Sequence, residues 1–410
     1  MKQETNEVAL MKAKQNGGIS AFFVAMFFYN MAANFVHPVT PAMIVRLNLN
    51  DYMFGVAFAA MMATNFLFSP FWGKMAGYIG SRNVMSICAI GYGVGQIFFG
   101  MAQNEVQFLL ARIFSGGFSG GAYVAFMTYT VNRSTTENRG RNLALNATLT
   151  AVSTSFGYFI GGMVGELNIY YSVVMQVATV FLLSLIFRFV CANDKNADFR
   201  SLSGKQLIRE CNPLAAILQC RRFMTRMMVL LFLSAGLLNL GYIAFEQCFN
   251  YALVDRFGLS SGYNGVIKAA LGVISMVANG TLCLWILRRK RISPYLAGVM
   301  MVCSGAMLGV IFADSIVPFV AINVVFFAFY YVSTPLFQDR AAALGQGEDS
   351  NLVMGSFNAV KSFGSIFGSA LAGVLYEVNV RLPFVFGFVA IAAATTALLL
   401  FIQVEKRAGD

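Results

Sequence analysis

Residues 261–312 read SGYNGVIKAALGVISMVANGTLCLWILRRKRISPYLAGVMMVCSGAMLGVIF. Two apolar runs, 261–286 and 293–312, flank the cluster Arg288-Arg289-Lys290-Arg291. Each run has about the 20 residues an α-helix needs to cross the hydrocarbon core of a bilayer. A knot of cations in the short turn between two such runs marks that turn as cytoplasmic, by the positive-inside bias. The same pattern of apolar run, short loop and apolar run continues in both directions. Spans are expected near 19–45, 53–76, 83–102, 105–131, 141–165 and 168–190, and again near 225–254, 261–286, 293–312, 316–337, 351–376 and 381–403.

Composition supports this reading. Of 410 residues 58% are hydrophobic and 11% charged, whereas a soluble domain carries roughly 25% charged residues. The net charge of +11 could suggest nucleic acid, but the basic residues sit in short loops between apolar runs, which is a topology signal. With the N-terminus inside, Arg46, Arg256 and Arg381 fall in extracytoplasmic loops and Arg112, Lys268 and Lys361 within spans. The other 23 of the 29 Lys and Arg lie on the cytoplasmic side. Both termini are therefore expected in the cytoplasm, with the chain in the cell (inner) membrane. Met1 to Gly18 is polar, and the run after it lacks a small-residue cleavage site, so it reads as a retained span. The seven Cys form no CxxC pair, and with a single His no zinc set is expected.

The expected organisation is a tail over 1–18, a six-helix bundle over 19–190, a polar cytoplasmic linker over 191–224, a second bundle over 225–404 and a tail over 405–410. The halves echo one another. Gly157, Gly161 and Gly165 in span 5 correspond to Gly364, Gly368 and Gly373 in span 11, and Gly73…Arg82 to Gly280…Arg289, with 157 to 364 and 73 to 280 sharing an offset of 207 residues. A parallel repeat of six spans is what the two halves of a rocking transporter show.

Several motifs carry a family resemblance. Gly73-Lys-Met-Ala-Gly-Tyr-Ile-Gly80-Ser-Arg82 resembles the major facilitator signature Gly-x-x-x-Asp-Arg-x-Gly-Arg-Arg/Lys, with Gly73, Gly80 and Arg82 matching and Gly77 in place of the Asp. Arg112-Ile-Phe-Ser-Gly116 is similar to the family's helix-4 Arg-x-x-x-Gly, and Glu137-Asn-Arg139-Gly140 to its Glu-x-Arg-Gly loop. Gly157-(x3)-Gly161-Gly162-(x2)-Gly165 resembles the antiporter signature, with Gly162 for its Pro. Ala244-Phe245-Glu246 resembles quinolone and multidrug efflux proteins of the twelve-helix drug:proton antiporter branch, although the acid those carry in helix 10 is missing from Phe329-Tyr330-Tyr331. The resemblance implies an all-α polytopic fold of about twelve transmembrane helices in two pseudo-symmetric six-helix bundles, working by alternating access. The Asp absent at Gly77 leaves a negative charge to be supplied, and Glu348 and Asp349 before Ser350 stand where they could supply it at the start of span 11.

The polar residues inside spans are the site candidates, because ionisable groups are costly there. Glu246 lies about ten residues from the outer end of span 7, roughly 15 Å deep. It reads either as a proton carrier or as half of a permanent ion pair with Lys268 on span 8. Lys361, near the middle of span 11, could hold an anionic substrate group. Arg112 is a cavity candidate or a helix-packing charge. His37, beside Pro38 and near Pro41, is a possible proton-coupling group, with the prolines marking a bend. Asn30 and Asn34 share a face of span 1, and with Asn239, Asn250, Tyr330 and Tyr331 they are further cavity candidates or interhelical hydrogen bonders.

Two transport functions compete. Proton-coupled efflux of small amphipathic or drug-like molecules is favoured by Ala244-Phe245-Glu246 and the span 5 glycines. Uptake or exchange of a small organic anion is favoured by the excess of cations over acids within spans. An enzyme is not expected, since no HExxH or P-loop sequence occurs. The expected partners are a small-molecule substrate, protons and the lipid bilayer, with no nucleic acid, no cofactor and a monomeric chain.

Overall fold

The computed structural model describes residues 19–135, 138–192, 194, 224–344 and 350–409. Glu137, Glu348, Asp349 and most of the linker lie outside the described residues. Among the described residues twelve long helices follow one another: α1 (Ile19–Arg46), α2 (Met53–Ile79), α3 (Ser81–Met101), α4 (Glu105–Asn132), α5 (Arg139–Leu167), α6 (Ile169–Val190), α7 (Arg226–Asp255), α8 (Ser261–Leu287), α9 (Ser293–Ile311), α10 (Ile316–Leu344), α11 (Ser350–Val378) and α12 (Leu382–Gly409). Eleven are long and apolar enough to cross a membrane. The remaining one, α4, has 28 residues but dilutes its apolar run with Arg112 and a Gly/Ser stretch. Each expected span has its helix, and the protein is a multi-pass membrane protein. α12 runs past residue 403 because Gln, Glu, Lys and Arg, all good helix formers, follow the apolar run.

Local chemistry sets the helix ends. Asn104, Asn168 and Thr225 accept hydrogen bonds from the backbone N–H of Gln107, Tyr170 and Met228, capping α4, α6 and α7. In α1 the α-helix stops at residue 33, a 3-10 turn spans His37–Val39, and α-helix resumes at Thr40. Pro38 lacks the N–H that an uninterrupted helix requires. α8 carries a π-helical turn at Asn279–Cys283. Between α2 and α3, Gly80 has φ 85°, a left-handed conformation that favours glycine and explains that position of the signature. At the same corner Ser81 donates from its backbone N–H (2.6 Å) and hydroxyl (2.5 Å) to Asp194. Arg82 donates to the carbonyl of Arg188 near the end of α6 (3.5 Å).

Two compact units share the chain. One comprises 1–40, 64–213 and 261–266, the other 41–63, 214–260 and 267–410. In the first, α3 packs on α4 and α6; in the second, α9 packs on α10 and α12 in the same way. A repeated seam follows the 207-residue offset. A Cβ at Gly161 would strike the backbone of Phe35 in α1, and one at Gly368 the backbone of Leu240 in α7. Large apolar side chains such as Phe189, 85% exposed, face outward, where a soluble protein would place polar groups.

Valine at Gly161 or Gly368 must push a neighbouring backbone aside. Each is expected to destabilise the protein by about 1–3 kcal/mol, read as a lower melting temperature in detergent, while Gly77→Val, which meets nothing within 4 Å, leaves it unchanged. Just beyond α6, burial pushes the Cys191 thiol up to about 12. A maleimide at neutral pH is therefore expected to leave Cys191 unmodified until the chain is unfolded.

Candidate functional site

The ionisable residues of α7, α8 and α11 lie in the second unit. Glu246 and Lys268 form an ion pair of 2.7 Å, their side chains 17% and 7% exposed. The Lys268 ammonium also lies 5.1 Å from the centre of the Phe327 ring. Two charges this far from water are tolerated because each neutralises the other, and removing one would strand its partner. One helical turn before Glu246, Tyr242 stacks on Tyr330 with 3.6 Å between ring centres and 5° between planes. Phe245, Phe249, Phe326 and Phe327 pack edge-on and tilted around this core.

Two turns before Glu246, Asn239 faces α11. Its amide donates to the carbonyl of Lys361 (2.6 Å) and to the hydroxyl of Ser365 (2.6 Å), and its oxygen accepts from the Tyr330 hydroxyl (3.4 Å). This network edges a cavity with about 220 Å³ of empty space, part of it open, lined by Ala235, Leu238, Asn239, Tyr330, Thr334, Phe337, Phe357 and Lys361. Asn239, Tyr330 and Lys361 thus come together from three helices.

The other candidates are placed differently. Asn30 donates to Thr150 (3.3 Å) and Asn34 to Thr154 (3.4 Å), so both bridge α1 to α5. Arg112 is buried, donates to Thr40 (2.9 Å) and lies 3.8 Å from the centre of the Phe99 ring. His37 stacks on Tyr158 at 5.6 Å. The side-chain oxygen of Asn250 is buried without a hydrogen-bond partner. Gly157, Gly161 and Gly165 of α5 are spent on packing against α1, and Gly162 on packing against Ser261 and Gly265 of α8.

Sequence reasoning missed Tyr242, Thr334 and Phe357. Tyr242 and Phe357 stand four residues before Glu246 and Lys361, a spacing that shares a helix face and would have found them. No local signal marks Tyr251, whose hydroxyl donates to Asp51 200 residues away. The spelling Gly117-Phe-Ser119-Gly-Gly121 matches the G-x-S-x-G consensus of a nucleophile elbow. It lies inside α4, where Ser119 donates to the Gly116 carbonyl (3.3 Å), and not on the strand-to-helix turn that chemistry needs.

The sequence profile of the Major Facilitator Superfamily matches residues 22–347. The chain belongs to the Major Facilitator Superfamily. Multidrug resistance protein 2 of Bacillus subtilis (strain 168) is 22% identical over 382 residues, 91% of each chain. Quinolone resistance protein NorA of Staphylococcus aureus (strain MSSA476) is 20% identical over 397 residues, 96% of this chain and 97% of its own. The solved structure of a bacterial homologue of the human lysosomal transporter Spinster, inward-facing and occupied, shares the fold with a TM-score of 0.75 at 11% identity. That likeness covers 94% of this chain and 96% of the other. As a major facilitator protein the chain is a transporter of small molecules and not an enzyme.

Within this transporter the Glu246–Lys268 pair yields a stability test. Lys268→Met leaves a buried carboxylate alone and is expected to cost about 3–5 kcal/mol. Combining it with Glu246→Gln removes both charges and is expected to restore most of the loss, a non-additivity read from melting temperatures of the four proteins in detergent.

Proposed function

We propose that this chain is a proton-coupled antiporter that exports small amphipathic or drug-like molecules by alternating access, from the cell (inner) membrane with both termini in the cytoplasm. The observation that carries the reading is the Glu246–Lys268 pair within the spans, its lysine buried and its carboxylate partly so, beside Tyr242, Tyr330 and Tyr331. Facing each other, the two side chains offset each other's charge. When the helices shift and the pair opens, protonation is the low-cost way to remain in the apolar interior. Proton binding and conformational state are thereby linked, as coupling requires. The multidrug and quinolone resistance relatives, aligned over nearly their full lengths, support efflux. The aromatic lining of the α7–α10–α11 cavity supports an amphipathic substrate. The basic residues flanking the spans, 23 of 29 on one side in the topology set out above, support the orientation.

A second reading, uptake of a small organic anion, is favoured by one observation. None of the ion pairs among the described residues includes Lys361, whereas Glu246 is matched by Lys268.

Inside-out vesicles with an imposed pH gradient test the proposal. Acidic interiors are expected to drive accumulation of a fluorescent amphipathic dye by wild type. Glu246→Gln is expected to abolish the gradient-driven component while leaving dye binding in place. No response to the gradient in wild type, or an undiminished one in Glu246→Gln, contradicts the coupling.

A further inference from the structure

Around the α7–α10–α11 cavity the Asn239 amide and the Tyr330 hydroxyl are spent on protein partners. Asn239 spends its amide on Lys361 and Ser365 and its oxygen on Tyr330. Tyr330 donates its hydroxyl to Asn239. Ala235, Leu238, Phe337 and Phe357 offer no polar side-chain atoms. The Lys361 ammonium remains, with three donors and no acceptor. Among the described residues it has neither a hydrogen bond nor an ion pair, its one contact of note being the Phe357 ring 5.8 Å away. It stands eleven residues into α11, roughly 16 Å along the helix, at a depth where an uncompensated cation is costly.

We infer that Lys361 is the anchor for an anionic group of the substrate, so that this transporter takes amphipathic molecules bearing a carboxylate on an aromatic or aliphatic body. An anion held there supplies the acceptor that the protein withholds. Phe337, Phe357 and Leu238 then cover the adjoining carbon skeleton. A neutral ligand would leave the ammonium desolvated and unmatched, and the site discriminates by that penalty. The inference rests on reading this cavity as the substrate site and is independent of the direction of transport.

Binding of 2-naphthoate and of its neutral isostere 2-naphthamide to purified protein in lipid nanodiscs tests it. Wild type is expected to bind the carboxylate at least about tenfold more tightly than the amide, a ratio worth about 1.4 kcal/mol. Lys361→Gln is expected to abolish the preference, and Lys361→Arg, which keeps the charge, to retain it. Since no described residue relies on the ammonium as a partner, Lys361→Gln is expected to keep the wild-type melting temperature, and the Arg variant supplies the comparison if it does not. Equal binding of the two probes, absence of naphthoate binding, or a preference surviving in Lys361→Gln overturns the proposal. A carboxylate preference lost with Lys361, in a protein whose transport ignores the pH gradient, supports the anion site while defeating proton-coupled export. A proton-driven transporter lacking the preference does the reverse.

Discussion

Charge inside an apolar helix bundle needs a compensating partner, and the few charges in the spans here are organised by that need. Glu246 and Lys268 meet it with each other at 2.7 Å. Arg112 meets it with the Thr40 hydroxyl and the face of Phe99. Lys361 has no such partner among the described residues. A matched pair and an unmatched cation thus stand in the same unit, and the proposed division between proton site and substrate site rests on that contrast.

Packing makes the arrangement sustainable. Gly161 and Gly368 let α5 and α11 approach α1 and α7 so closely that a single methyl group would collide with backbone. Along α7 this places Asn239 against Lys361 and Ser365, one turn from Tyr242 and two from Glu246. The Tyr242–Tyr330 stack then spans the interval between the cavity and the ion pair.

Much of this was legible in the sequence, for physical reasons. Twenty-residue apolar runs and lopsided basic loops are dictated by the bilayer, so every expected span has its helix. The Pro38 break in α1 and the glycine seams followed from backbone chemistry. Depth and period paired Glu246 with Lys268, since antiparallel neighbours at equal depth face one another. Rotation about the helix axis was not legible. Asn30 and Asn34 share a face as expected, but that face meets Thr150 and Thr154 on α5. Asn239, on a helix of the same character, borders the cavity instead. Contacts such as Tyr251 with Asp51 join residues far apart in the chain and leave no periodic trace.

In the proposed coupling, Glu246 trades its lysine for a proton during the working cycle. Infrared difference spectroscopy of the protein in lipid, comparing acid with alkaline buffer, observes that exchange directly. A protonated carboxyl band that grows on acidification and is absent from Glu246→Gln is the predicted result. Spectra of the two proteins that superimpose across the titration would show a fixed ion pair and contradict the account.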